Sequence, residues 1–155
     1  SIYLRDNKPS PILFEDFFQI NMKNCILSGV MDRLDIDMHG GVRIYDYKTS
    51  KTQKSELNIR NSFQLPIYAL AVYLLGKDLH PAIKNQSAPI SIGELTLRFD
   101  DLERMVELSK SDIKEIESKV NDIAKQISSK VFAANPNMMN CNYCDYKKFI
   151  CSYYN

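Results

Sequence analysis

The chain has 155 residues, 45% hydrophobic and 25% charged, which suits one ordinary globular domain with a sizeable core. Its net charge of +1 excludes a global pull toward nucleic acid, so any such contact has to come from local patches. No apolar run approaches the roughly 20 residues of a membrane span, and no secretory signal is visible, so no membrane partner is expected.

In chain order, residues 12–20 (ILFEDFFQI) and 24–36 (NCILSGVMDRLDI) alternate loosely and are rich in aromatic and aliphatic side chains, which predicts two strands. Asn21 to Lys23 supplies a polar turn between them. His39-Gly40-Gly41 supplies a second turn, and 42–47 a third strand, so three antiparallel strands follow. Residues 51–58 are polar and read as a loop. From about Ile59 the period changes. Phe63, Ile67, Leu70 and Leu74 recur at helical steps, which predicts a helix ending near Gly76 with Pro66 tolerated close to its first turn. A Pro-containing loop over 77–88 and a strand over 89–99 (PISIGELTLRF) come next. A long helix is then expected from Asp100 or Asp101 to about Phe132, with Leu102, Met105, Leu108, Ile113, Ile116, Val120, Ile123 and Ile127 on one face. Ser109 to Asp112 is the point where it can be interrupted. The tail from Asn135 looks irregular. The order β-β-β-α-β-α predicts a mixed sheet flanked by helices, an α/β core bordering on α+β.

The chemistry is concentrated around the Gly-Gly turn. Asp32 lies on the run before it, and Asp46 with Lys48 on the run after it. Strand periodicity puts Asp46 and Lys48 on one face, and Asp32 with Leu34 on one face of its own strand. Two carboxylates and a lysine brought together by hairpin pairing suit Mg²⁺ or Mn²⁺ and an attacking water, which is the chemistry of phosphodiester cleavage. The plainer alternative is a set of solvent-facing charges at strand ends, with Lys48 simply paired to Asp46. Gln64 and Tyr68 stand one helical turn apart and project from the same face. They can reach a phosphate or a catalytic loop, or be a satisfied hydrogen-bonding pair at the edge of the core.

GVMDRLD at 29–35, IYDYKTS at 44–50 and QLPIYALAV at 64–72 together resemble the nuclease domain of the RecB family, within the PD-(D/E)XK superfamily. That group includes RecB, the AddA and AddB subunits, and the CRISPR-associated RecB-like exonucleases. The resemblance runs from about Phe14 to the C-terminus. It implies a restriction-endonuclease-like core and a metal site at Asp32 and Asp46. It also implies a catalytic Lys48, and Gln64 with Tyr68 as the helical motif beside the site. DNA, single-stranded or at its ends, becomes the expected substrate. A helicase domain or subunit becomes the expected partner, in DNA repair or recombination. The chain departs from the family in one respect: relatives supply a further metal ligand, often histidine, from an upstream helix. Neither His39, in a turn, nor His80, beside Pro81, occupies that position. Since the chain opens with Ser1, it reads as a single nuclease domain over 1–155, the C-terminal part of something longer.

Cys141, Cys144 and Cys151 form C-x₂-C-x₆-C in the tail over 135–155, while Cys25 stands far upstream. An odd cluster without a secretory signal favours a reducing, cytoplasmic setting over a disulfide framework. Three thiolates on short loops suit zinc or an iron–sulfur cluster, and either needs a fourth ligand. Cys25 reads as core rather than ligand. AddB-like and CRISPR-associated relatives carry a [4Fe–4S] cluster on one upstream cysteine and three near the C-terminus. The resemblance thus assigns Cys141, Cys144 and Cys151 to such a cluster, with zinc or an empty trio as the options for this chain. Lys48, Lys51, Lys54 and Arg60, with Lys147 and Lys148, are candidate phosphate contacts. The rival to a nuclease is a non-catalytic DNA-binding module with a metal-stapled tail.

Overall fold

A computed structural model describes residues 9–52, 54–84, 88–96, 104–130, 132–147, 150, 151 and 153. Five strands form one mixed sheet in the order β1-β2-β3-β4-β5. They are β1 (Ser10–Asn21), β2 (Ile26–Ile36), β3 (Val42–Lys48), β4 (Ile90–Thr96) and β5 (Arg104–Leu108). Neighbours are antiparallel except β3 and β4, which run parallel and are joined by the helical crossover that parallel pairing requires. This mixed, helix-flanked sheet is the expected α/β architecture.

The β2–β3 turn is built by Asp37, whose Oδ1 accepts the backbone N–H groups of His39 at 2.9 Å and Gly41 at 2.8 Å. Gly40 sits at φ 83°, a conformation natural to glycine, and a Cβ on Gly41 would meet Asp37 Oδ2 at 2.5 Å. The two glycines are therefore what lets β3 fold back on β2.

The crossover contains α1 (Glu56–Arg60) and α2 (Gln64–Leu75). The single helix expected from Ile59 is thus two, separated over 61–63, and the first begins at Glu56, inside the stretch expected to be a loop. Pro66 is the third residue of α2, inside the first turn where no intrahelical N–H is missed. Helix α2 is apolar all round because it is enclosed. Leu65, Ala69, Leu70, Ala71 and Val72 are buried between the sheet and a second helix. Together with Met31, Leu34, Ile44 and Ile92 they form the main core.

That second helix, α3 (Lys110–Ser128), corrects the sequence reading. Residues 104–108 (RMVEL) are not its first turns but strand β5, paired antiparallel with β4, so Met105 and Leu108 lie on the sheet. Leu102 falls outside the described residues. The reason is local: RMVEL alternates with Val106 and Leu108 buried, and Ser109 then starts a new helix through a complete capping box. Ser109 Oγ accepts from Asp112 N–H at 3.2 Å, while Asp112 Oδ2 accepts from Ser109 N–H at 2.7 Å. The Ser109 hydroxyl, which also donates to Asp112 Oδ2 at 2.7 Å, and the Ser109 N–H hold the Asp112 carboxyl below the ordinary carboxylate range, with Arg60 adding to them. A depressed carboxyl stabilises the folded state above its unfolded pKa and loses that contribution as pH falls through the folded value. Ser109→Ala is expected to cost about 1 kcal/mol, measured by urea denaturation at pH 7. The cost should shrink as the pH is lowered through the acidic range, and an unchanged cost there would contradict the capping role of Asp112. A short helix, α4 (Met138–Asn142), interrupts the otherwise irregular tail. No helix among the described residues is long and apolar enough to cross a membrane.

Candidate active site

Asp32 is positioned by a defect in the pleat. On β2 the buried residues include Met31 and Leu34, and on β1 Leu13 and Phe18, odd separations that a regular strand would put on opposite faces. The pairing runs Phe14↔Arg33 and then Asp16↔Met31, so Glu15 and Asp32 fall at the unpaired rung between them, where the in–out alternation of both strands breaks. Glu15 has φ 46°, a left-handed backbone uncommon for a side-chain-bearing residue. On its other side β2 pairs with β3 only as far as Arg33↔Tyr45 and then diverges. Asp32 therefore stands at a fork. The N–H of Tyr47, beyond the last rung, is taken by Asp32 Oδ2 at 3.0 Å. The carboxylate closes a ladder that the backbone leaves open.

Extending the β2–β3 register by one residue sets Asp32 opposite Asp46, two residues beyond the fully buried pair Leu34↔Ile44 on the helix-covered face. Asp46 is only 3% exposed. Burial pushes its carboxyl above the ordinary range, and the adjoining Asp32 carboxylate pushes the same way, while Lys48 opposes both. Lys48 Nζ reaches Asp46 Oδ2 at 2.5 Å, and this bond raises the lysine pKa, with weaker contributions from Glu94 and Asp32. Lys48 is accordingly a firmly protonated ammonium ion and a hydrogen-bond donor, not a free base.

Gln64 and Tyr68 come to the same place from α2. Gln64 Nε2 donates to Tyr68 Oη at 2.8 Å, the i,i+4 pair that helical spacing predicts. The Tyr68 ring meets Phe18 edge-on, with centroids 5.8 Å apart. Burial raises the phenol pKa, Gln64 lowers it, and Asp32, Asp46 and Lys48 all act on it. All five expected site residues thus converge on the fork.

Several polar residues around them had not been singled out from sequence. Arg33 and Asp35, on the opposite sheet face, form a two-point ion pair at 2.7 and 2.6 Å, with the guanidinium 5.3 Å from the Tyr45 ring centroid and 5.8 Å from that of Phe14. Their i,i+2 spacing within DRLD was the available signal. Glu94 is buried on the rung of β4 that pairs with Asp46, and Thr96 on the rung that pairs with Lys48. The Thr96 hydroxyl is buried without a hydrogen-bond partner among the described residues.

The candidate phosphate contacts divide. Lys51 is exposed, but Lys54 Nζ is bound to Glu94 at 2.7 Å. Arg60 holds Asp112 at 2.9 Å and the Glu107 carbonyl at 3.0 Å. Both have structural partners because the crossover has to be fastened to β4, β5 and α3. Lys148 lies outside the described residues.

The cysteines are all free thiols. Cys25 packs beside the core between β2 and α3, as expected for a small apolar residue. Among the described residues, no group of three or more His, Cys, Asp or Glu is arranged to hold a metal ion. Cys141, Cys144 and Cys151 therefore do not form a ready trio, and no described residue completes a fourth ligand.

A family model described as the PD-(D/E)XK nuclease superfamily matches residues 3–152. No curated protein matches the chain.

Proposed function

The chain belongs to the PD-(D/E)XK nuclease superfamily, and from that premise we propose that it is a metal-dependent DNA nuclease of the RecB-like type, hydrolysing phosphodiester bonds at DNA ends. The observation that carries the reading is the meeting of Asp32, Asp46 and Lys48 at the fork, under Gln64 and Tyr68. Two hard carboxylates side by side, Asp46 buried and Asp32 half-buried at the edge of the site, call for a cation. This donor set fits Mg²⁺ or Mn²⁺, which bind through one or two carboxylates and keep waters and substrate oxygens as their other ligands.

In this reading Asp32 and Asp46 hold the cation, which when bound supplies Lewis-acid polarisation of the phosphate and a more acidic water. Lys48 donates hydrogen bonds to the attacking water and to the charge that builds on the phosphoryl oxygens. Water attacks phosphorus and gives up a proton to solvent, the bond from phosphorus to the leaving sugar oxygen breaks, and the leaving alkoxide takes up a proton from solvent. Tyr68 and Gln64 fix the wall of the site and present an O–H and an N–H to the substrate backbone. The motifs GVMDRLD, DYKTS and QLPIY support placement beside RecB and AddB, with a helicase partner and a role in DNA repair or recombination. In the same reading Cys141, Cys144 and Cys151 belong to a [4Fe–4S] site. The resemblance to AddB-like relatives is what supports this; the three thiols are not gathered into a trio among the described residues and three thiolates do not complete a cluster, so no step of the chemistry is assigned to it.

The test is degradation of end-labelled single-stranded DNA with Mn²⁺ by the 155-residue chain and its Lys48→Ala variant. Cleavage by the wild type that falls by about a hundredfold or more in the variant is the expected result. Equal cleavage by both would remove the chemistry from this site. Binding of DNA with no cleavage would favour the non-catalytic module.

A further inference from the structure

We propose that the ion pair Lys54–Glu94 is a positioning device for the site. Lys54 neutralises the carboxylate that borders Asp46 on the next strand, so that Lys48 and a bound cation stay with Asp46. The proposal rests on the metal-binding reading of Asp32 and Asp46.

Glu94 and Asp46 are rung partners on parallel neighbouring strands, both nearly enclosed, at 6% and 3% exposure. They follow the rung Ile44↔Ile92, whose two side chains are fully buried in the core, so they share its helix-covered face. An uncompensated carboxylate there would be costly, and would compete with Asp46 for any cation. Lys54 prevents this, with Nζ 2.7 Å from Glu94 Oε1. The lysine is itself held, because Arg104 Nη1 donates to its carbonyl at 3.2 Å and Arg104 is the β5 rung partner of Glu94. The segment that leaves β3 after Lys48 is thus fastened back onto β4 and β5 at Lys54. Two lysines face this row of carboxylates, each with its own partner: Lys48 on Asp46 and Lys54 on Glu94.

A neutral pair beside a cation site has a signature that a merely structural contact lacks: removing either charge shifts the site in opposite directions. Lys54→Met leaves an extra negative charge next to Asp46 and is expected to tighten Mn²⁺ binding roughly tenfold. Glu94→Gln leaves an extra positive charge and is expected to weaken it by roughly the same factor. The double variant K54M/E94Q should return to within about threefold of wild type, because both charges are gone. Mn²⁺ affinity would be measured by electron paramagnetic resonance on the 155-residue chain, with Asp46→Asn as the control for site identity. Both single variants weakening Mn²⁺, or the double variant being worse than either, would overturn the proposal and leave the metal site standing. Mn²⁺ binding untouched by Asp46→Asn would overturn the metal reading itself.

Discussion

Asp46→Asn is expected to lower Mn²⁺-dependent DNA cleavage by about a thousandfold or more while leaving the chain folded. The side chain is buried against Asp32 and held by Lys48, and burial with the Asp32 charge raises its pKa. A carboxyl with a raised folded pKa contributes stability below its unfolded value and loses that contribution as pH rises through the folded value. Ionised Asp46 thus carries the cost of burial and of the Asp32 charge, offset by its bond to Lys48. Asparagine fills nearly the same volume and removes the repulsion with Asp32. It gives up the anion that would hold a cation and that keeps Lys48 in place. The expectation is a large loss of rate with an unchanged or higher thermal midpoint. Single-turnover cleavage and thermal denaturation of the same preparation would measure both. Activity within tenfold of wild type would separate Asp46 from the chemistry. A lost rate with a collapsed fold would show that the residue holds the sheet together instead.

Gly93→Val is expected to destabilise the chain by about 3 kcal/mol, the largest single effect predicted on stability. Gly93 pairs with Met105 across β4 and β5. A Cβ there would meet the Met105 sulfur and, at 2.6 Å, the carbonyl oxygen of Arg104. The sulfur ends a pliable side chain and can move aside, but the carbonyl is backbone and can move only if the strands separate. The next rung is Glu94↔Arg104, so the distortion would also loosen the hold on Lys54. Urea denaturation would give the cost as a shift in midpoint, and a change under 1 kcal/mol would show that β5 yields without difficulty.

The acid–lysine pair and the helical pair were legible because their partners are close in sequence. A hairpin brings Asp32 to Asp46, and one helical turn brings Gln64 to Tyr68. Glu94 was not legible. Within ISIGELT it is one polar position of an alternating strand, and its rung with Asp46 depends on a parallel crossover whose register leaves no local trace. By periodicity alone the boundary at Ser109 looks like a weak point in a helix, although Ser109 and Asp112 carry a complete start signal. Met105 and Leu108 happen to fall in phase with the apolar stripe of α3, and that coincidence absorbed a five-residue strand into the helix.

The loss of step at Glu15 and Asp32 bears on how this site can change over generations. Below that rung Leu13 and Leu34 face inward; above it Phe18 and Met31 do, while Phe17 and Val30 face outward. Deleting either out-of-step residue alone would slip the pairing or turn half the hairpin inside out, exposing Phe18 and Met31 to water. An even pleat returns only if both strands shorten together. Lineages carrying this hairpin can therefore lose the acid by substitution far more readily than by deletion, and a silenced descendant would keep the kink after the carboxylate is gone.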